Sequence, residues 1–373
     1  MKSSIRLVRI AGIDIGIHYS WIFIFILVAW SLAEGYFPEV FPDWSRRAYW
    51  MTGIIAAIML FVSVLLHELA HSIVARARGM PVNSITLFLF GGVSNLEREP
   101  EQAGAEFAMA IVGPGASLVL AGIFWGVWYA LPGEDTPVIA IFAYLAWINA
   151  LLAGFNLLPA FPLDGGRVLR SIIWGISGSL KKATNAAALM GTIFGWGLIA
   201  FGVYRLLEGY FLGGIWIAFI GWFLSSAADA SRQQVTLREH LSGFRVKDLM
   251  DTGAESVTPE TSVGDVIRDI FRGRHHRAVP VCGGGRMEGI LTIADVKKVP
   301  QEQWESTYAG AVMTREPIYS VSPEDSLSKA FELINEHDIN QVPVIENGRC
   351  VGMVTRARIM EHIEINRELG ASA

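Results

Sequence analysis

The run His67-Glu68-Leu69-Ala70-His71 lies inside an apolar stretch covering residues 51–74, so a metal-ligand pattern falls where the sequence otherwise reads as a helix buried in lipid. Titratable groups at the centre of a membrane helix cost roughly 2.5–3.5 kcal/mol each, so three of them in five residues need partners or a hydrated cavity. Two histidines at i and i+4 share one helix face, which lets both imidazoles reach a single ion, while Glu68 projects beside them. This is the pattern of zinc-assisted hydrolysis, in which the ion brings the pKa of a water toward about 7 and a carboxylate carries its proton to the leaving amine. A chance copy of the pattern would be a solvated helix turn, which the membrane setting weighs against; the remaining structural alternative is a buried polar contact between helices.

The chain has 373 residues, 52% of them apolar, with 12 Trp and 20 Phe, but the apolar ones concentrate in the first 230. Runs of membrane-spanning length occur at about 17–32, 50–74, 105–131, 137–158, 186–206 and 210–226, which predicts an α-helical polytopic membrane protein with about six transmembrane helices. Gly191, Gly195, Gly197, Gly202, Gly213, Gly214 and Gly221 in the last two spans suit close helix approach in lipid. Loop charges set the orientation. Lys2, Arg6 and Arg9, then Arg76 and Arg78, then Arg167, Arg170, Lys181 and Lys182, then Arg232 all fall on one side of alternating spans. Glu134 and Asp135, and Arg205 with Glu208, fall on the other, where Arg46 and Arg47 dissent. Basic residues stay inside, so a multi-pass protein of the cell membrane with both termini in the cytoplasm is expected.

The strand-like segment 4–17 precedes the first apolar run and no small-residue cleavage site follows it, so the first span is expected to stay. Cys282 and Cys350 are the only cysteines, far apart in sequence, which argues against a thiolate zinc site or a structural disulfide. The net charge of −5 and the lack of a basic patch interleaved with aromatics argue against nucleic acid as a partner.

Residues 81–96 are β-branched and aromatic, too short to span as a helix, and broken by Gly91-Gly92. They predict a short membrane-associated strand or hairpin. Open backbone at membrane depth is tolerated where protein or water satisfies it, so the segment is expected to line the cavity beside the metal. An exposed strand edge there could bind an unwound substrate by strand addition, with Phe90, Gly91 and Gly92 as the substrate-binding residues. The alternative is a loop that only packs on the bundle.

A catalytic zinc generally takes three protein ligands and keeps one position for water. After the fourth span, prolines interrupt the chain at Pro159 and Pro162, and the carboxylate of Asp164 follows at the membrane boundary. Asp164 is the candidate third ligand. Its other reading is an N-cap for a helix over 168–175. Asn149, earlier in the fourth span, reads as an interhelical hydrogen bond.

These elements together carry a specific resemblance. His-Glu-Leu-Ala-His in the second long span, Phe88-Leu-Phe-Gly-Gly92, and Asn-x-x-Pro-x-x-x-Leu-Asp-Gly from Asn156 to Gly165 resemble the site-2 protease family of intramembrane zinc metalloproteases over about residues 10–230. The resemblance implies one Zn2+ per chain, bound by His67, His71 and Asp164, with Glu68 as general base and acid. It implies a catalytic role for Asn156, whose amide would hold the oxyanion or the substrate carbonyl. Gly113-Pro114-Gly115 also fits the family, while Ser117 stands where an Asn is often found.

Beyond Arg232 charged residues rise and a repeat appears: Met250, Pro280, Gly289 and Thr292 recur as Met313, Pro343, Gly352 and Thr355, each displaced by 63 positions. Two such units are expected to fold together as one pseudo-symmetric domain. The repeat resembles a tandem pair of cystathionine-β-synthase-type (CBS) domains. The expected organisation is a protease domain over 1–230, a linker over 231–243, a first CBS unit over 244–306 and a second over 307–373, the pair being α/β and cytoplasmic. The resemblance implies ATP, ADP or AMP at one site, with Thr292 on phosphate and Asp295 on the ribose; in the second copy Arg358 replaces the acidic residue. It also implies a homodimer through the CBS domains.

The sequence therefore predicts an intramembrane zinc metalloprotease that cuts within or next to a transmembrane segment of another protein, with the CBS pair regulating it. By family analogy the substrate is a signalling protein such as an anti-sigma or pro-sigma factor. Two other classes compete: a CBS-gated divalent-metal transporter, which would leave Glu68 without a task, and a catalytically silent membrane scaffold, which intact His67, Glu68, His71 and Asp164 disfavour.

Overall fold

The computed structural model describes residues 4–88, 91–96, 100–133, 136–253, 255–273 and 277–368. Phe90, Glu134 and Asp135 lie outside the described residues. The chain divides into two compact units, Met1–Gln233 and Gln234–Ala373.

The first unit opens with a hairpin of β1 (Ser4–Ile10) and β2 (Ile13–His18). Its two-residue turn places Ala11 and Gly12 at φ 49° and 78°, the left-handed pair that a tight hairpin with native twist requires. Helix α1 (Tyr19–Val40) follows, with a wider turn at Leu32–Tyr36. Next comes α2 (Arg46–Ala77), which starts where the Ser45 hydroxyl accepts from the Ala48 amide and stops at Gly79, whose φ of 80° closes the last turn.

Strands β3 (Val82–Phe88) and β4 (Gly91–Leu96) return along the bundle. Helices α3 (Ala103–Ala130), α4 (Pro137–Asn156), α5 (Asp164–Ser177), α6 (Leu180–Leu207) and α7 (Phe211–Ser242) complete the order. Among the described residues six helices, all of those named but α5, are long and apolar enough to cross a membrane, as the apolar runs predict.

The β segment is larger than expected. Residues 81–96 do form a hairpin, but β2 pairs in parallel with β3, from Asp14 opposite Ser84 to Ile17 opposite Leu87, so the N-terminal hairpin joins it in a four-stranded sheet of order β1-β2-β3-β4. One face is driven inward by burial: Ile13, Val82 and Ile85 pack with Ala75, Met80 and Met109 from the helices. That fixes the register, since a one-residue slip would turn the apolar set outward. Among the described residues, β1 and β4 are the sheet's two edges.

Small residues bring α6 and α7 together. A Cβ added at Gly195 or Gly202 would press against the backbone oxygens of Gly221 and Gly214, whereas Gly197 and Gly213 face open space. Asn149, fully buried in α4, donates to the Leu145 carbonyl at 2.8 Å and to Ser63 Oγ of α2 at 3.3 Å.

In the second unit the stretch read as a linker is helical to Ser242, and Leu237 and Leu241 contribute to the unit's core. Two hairpins follow, β5 (Ala278–Gly283) with β6 (Arg286–Thr292) and β7 (Gln341–Glu346) with β8 (Arg349–Thr355). The 63-residue repeat survives in their registers: Pro280 faces Ile290 and Pro343 faces Met353, and each ladder shifts one position later. Each half has its own core, around Val263, Val279 and Leu291 in one and Leu327, Val342 and Val354 in the other.

Candidate metal centre

Helix α2 carries His67 and His71 one turn apart, with ring centroids 4.8 Å from each other. The chain between α4 and α5 brings Asp164 to them. A Cβ at Gly165 would overlap the Leu157 carbonyl, and one at Gly166 the Ala160–Phe161 backbone, so only glycine lets this turn fold under the start of α5. The N-cap position belongs to Leu163, not Asp164, and no side chain caps the helix there. Asp164 instead turns its Oδ2 to His67 Nε2 at 3.1 Å and to His71 Nε2 at 3.2 Å, and the two nitrogens are 3.2 Å apart.

Three donor atoms at nearly equal separations suit one shared ion. Ligands about 2.0–2.1 Å from a tetrahedral centre lie roughly 3.3–3.4 Å from one another. The tautomer of His71 agrees. His71 Nδ1 lies 2.6 Å from the Met109 carbonyl, which can only accept, so this nitrogen carries the hydrogen and a neutral ring leaves Nε2 bare. His67 Nδ1 is held by Ser117 Oγ at 2.9 Å. Among the described residues, His67, His71 and Asp164 are the group able to hold a metal.

Helix α3 supplies both outer contacts. Met109, Gly113 and Ser117 recur every fourth residue and so share a face. Gly113 lies between them, where a Cβ would overlap the Nε2 atoms of both histidines. Sequence reading singled out Gly113 and left Ser117 without a role; the four-residue spacing was the available signal.

These groups open onto a cavity of about 840 Å³, lined also by Glu68, Gly91, Gly92, Asn156 and Arg167. Glu68 is half-buried, and the Gly92 backbone lies so close that a Cβ there would overlap its side chain. Asn156 lines the cavity too, with its amide donating to the Leu152 carbonyl of its own helix at 3.0 Å. Of the predicted substrate-binding residues, Gly91 and Gly92 are therefore at the site, and Phe90 is outside the described residues.

Thr292 and Asp295 sit in the second unit, at the turn after β6. Thr292 accepts from the Asp295 amide at 3.2 Å, and Asp295 Oδ2 accepts from the Thr292 amide at 3.1 Å and hydroxyl at 2.6 Å. Lys298 donates to Oδ1 at 3.0 Å. Burial pushes this carboxyl up, but the bonds from Thr292 and Lys298 outweigh it and hold Asp295 below the usual carboxylate range. The pair is a helix-capping box as it stands.

A bundle of apolar helices enclosing a two-histidine, one-carboxylate cluster defines a multi-pass membrane protein of the metallohydrolase kind. Comparison with known proteins narrows this. The profile of Peptidase family M50 matches residues 55–137 and 134–198, and that of the CBS domain matches 246–302 and 309–365. The chain is 35% identical over 374 residues to the zinc metalloprotease Rip3 of Mycobacterium tuberculosis, covering 98% of this chain and 94% of that one. It is 34% identical over 372 residues to a zinc metalloprotease of Synechocystis, covering 98% and 96%. Among solved structures it is similar to the site-2 protease from Methanocaldococcus jannaschii, at 28% identity and a TM-score of 0.44 over 61% of this chain and 95% of that one.

The chain belongs to Peptidase family M50, the site-2 proteases, and is a zinc metalloprotease that carries a tandem CBS pair.

Gly113→Ala tests the close passage of α3 over the cluster. The added methyl should displace one imidazole and lower zinc retention at least about 10-fold. Metal analysis of the purified variant, with its melting curve as a folding control, would check this.

Proposed function

We propose that the enzyme performs intramembrane proteolysis, hydrolysing peptide bonds within or next to transmembrane segments of other proteins, and that it serves regulated signalling. The observation that carries this reading is the position of the His67–His71–Asp164 cluster: it opens into a cavity walled by membrane-spanning helices and bordered by β4. In this reading His67, His71 and Asp164 hold one zinc ion, which when bound supplies Lewis acidity and a water of near-neutral pKa.

Glu68 takes the proton of the attacking water and returns it to the leaving amine. It lines the same cavity as the donor cluster, against the Gly92 backbone. Asn156 releases its bond to the Leu152 carbonyl and offers its amide to the substrate carbonyl, whose oxygen becomes anionic as the bond is attacked. Strand β4 is the last in the sheet order and, among the described residues, has no strand on its outer side. A substrate helix that unwinds beside it regains its backbone hydrogen bonds by strand addition, with Phe90, Gly91 and Gly92 at the contact. A helical peptide bond is closed to attack, so this step makes it cleavable.

The excess of basic residues in alternate loops supports a cytoplasmic side for both termini and the CBS pair. There the pair binds an adenine nucleotide, with Thr292 on phosphate and Asp295 on the ribose, and pairs with a second copy to form a homodimer. Nucleotide binding would exchange the Lys298 contact of Asp295 for the ribose hydroxyls. The substrate is a membrane-anchored signalling protein, of which anti-sigma and pro-sigma factors are the type expected by family analogy.

Two measurements test this reading. Detergent-purified protein should cut model transmembrane segments, and Glu68→Gln at equal zinc content should be slower by about 10²–10⁴-fold; a variant as fast as the wild type would remove Glu68 from the chemistry. ATP should raise the melting temperature of the second unit in the full chain, and Asp295→Ala should abolish that rise. An unchanged shift would move the nucleotide elsewhere.

A further inference from the structure

Glu106 and Arg170 form a buried ion pair that the reaction described above does not use. Glu106 is in the first turn of α3 and fully buried, and Arg170 is in α5 with 7% of its side chain exposed. Arg170 Nε donates to Glu106 Oε1 at 2.6 Å and Nη2 approaches the same oxygen, leaving the buried Oε2 without a hydrogen-bond partner. The guanidinium also stacks over the Phe161 ring, 5.0 Å from its centroid.

The placement matters more than the pairing. Glu106 precedes Met109, whose carbonyl orients His71, by three residues on the same helix, and Arg170 follows Asp164 by six on α5. Phe161 stands three residues ahead of Asp164, in the turn that delivers it. Both histidines are thus referenced to α3 through Met109 and Ser117, while Asp164 comes from a separate short helix, α5. Desolvation offsets most of the attraction in a buried ion pair, so a contact of this kind is poorly explained as a source of stability. Its directional bonds fix one helix against another.

We propose that Glu106 and Arg170 are positioning residues of the metal site: the pair ties α5 and the Phe161 turn to α3, and so sets the Asp164 carboxylate in the frame that already orients His67 and His71. The inference rests on the reading of His67, His71 and Asp164 as the zinc ligands. Its consequence is that the pair governs zinc affinity through geometry rather than through folding.

The test is zinc affinity of the detergent-purified full chain, measured by chelator competition alongside the melting temperature of the metal-free protein. Arg170→Lys keeps the cation but loses the fork, and the double variant Glu106→Leu/Arg170→Leu replaces the pair by apolar groups, an exchange that buried pairs often tolerate. Both should fold like the wild type and bind zinc about 10–100-fold more weakly. A folded double variant with wild-type zinc affinity would overturn the proposal, because packing alone would then suffice. Should the double variant fail to fold, Arg170→Lys decides: wild-type affinity there overturns the proposal and weakened affinity supports it. Asp164→Asn is the separate control, since wild-type zinc affinity in that variant would overturn the ligand set itself.

Discussion

Everything in the first unit depends on bringing three donor atoms from two helices to one point inside an apolar bundle. Such groups are costly in lipid unless each is paired, and the fold pairs them from all sides. Helix α3 holds the outer nitrogens of both imidazoles through Ser117 Oγ and the Met109 carbonyl. Helix α5 delivers Asp164, and the inner nitrogens meet its Oδ2 at 3.1 and 3.2 Å. Close backbone approach makes this possible: Gly113 lets α3 pass over the imidazoles, Gly165 and Gly166 let the preceding turn fold beneath α5, and Gly92 lets β4 lie against Glu68.

The chemistry follows from that frame. A carboxylate beside a two-histidine, one-carboxylate cluster is the arrangement for activating water, and the edge strand beside it is the arrangement for holding extended backbone. The cavity beside the donor cluster is lined by Gly91 and Gly92, the first two residues of β4. The CBS pair folds around two cores of its own, distinct from the aromatic and aliphatic core of the membrane unit.

How far the sequence could be read depended on the range of each interaction. His67 and His71 were legible because four residues on a helix is a local spacing, and the CBS repeat because an offset of 63 residues is kept in both hairpin registers. Asp164 was ambiguous from the residues alone, since an Asp before a helix is commonly a cap; the structure gives the cap position to Leu163 and frees the carboxylate. The parallel pairing of β2 with β3 and the Glu106–Arg170 contact join segments 64 or more residues apart, and no local pattern announces them. Thr292 and Asp295 show the reverse limit, because the two residues that resemble a nucleotide signature also form a helix-capping box.

The most direct test of the central claim is X-ray absorption at the zinc edge on the detergent-purified protein. The account predicts two imidazole nitrogens and carboxylate and water oxygens, all at about 2.0–2.2 Å, with no sulfur. A shell containing sulfur near 2.3 Å, a third imidazole, or a purified protein that takes up no zinc would contradict it.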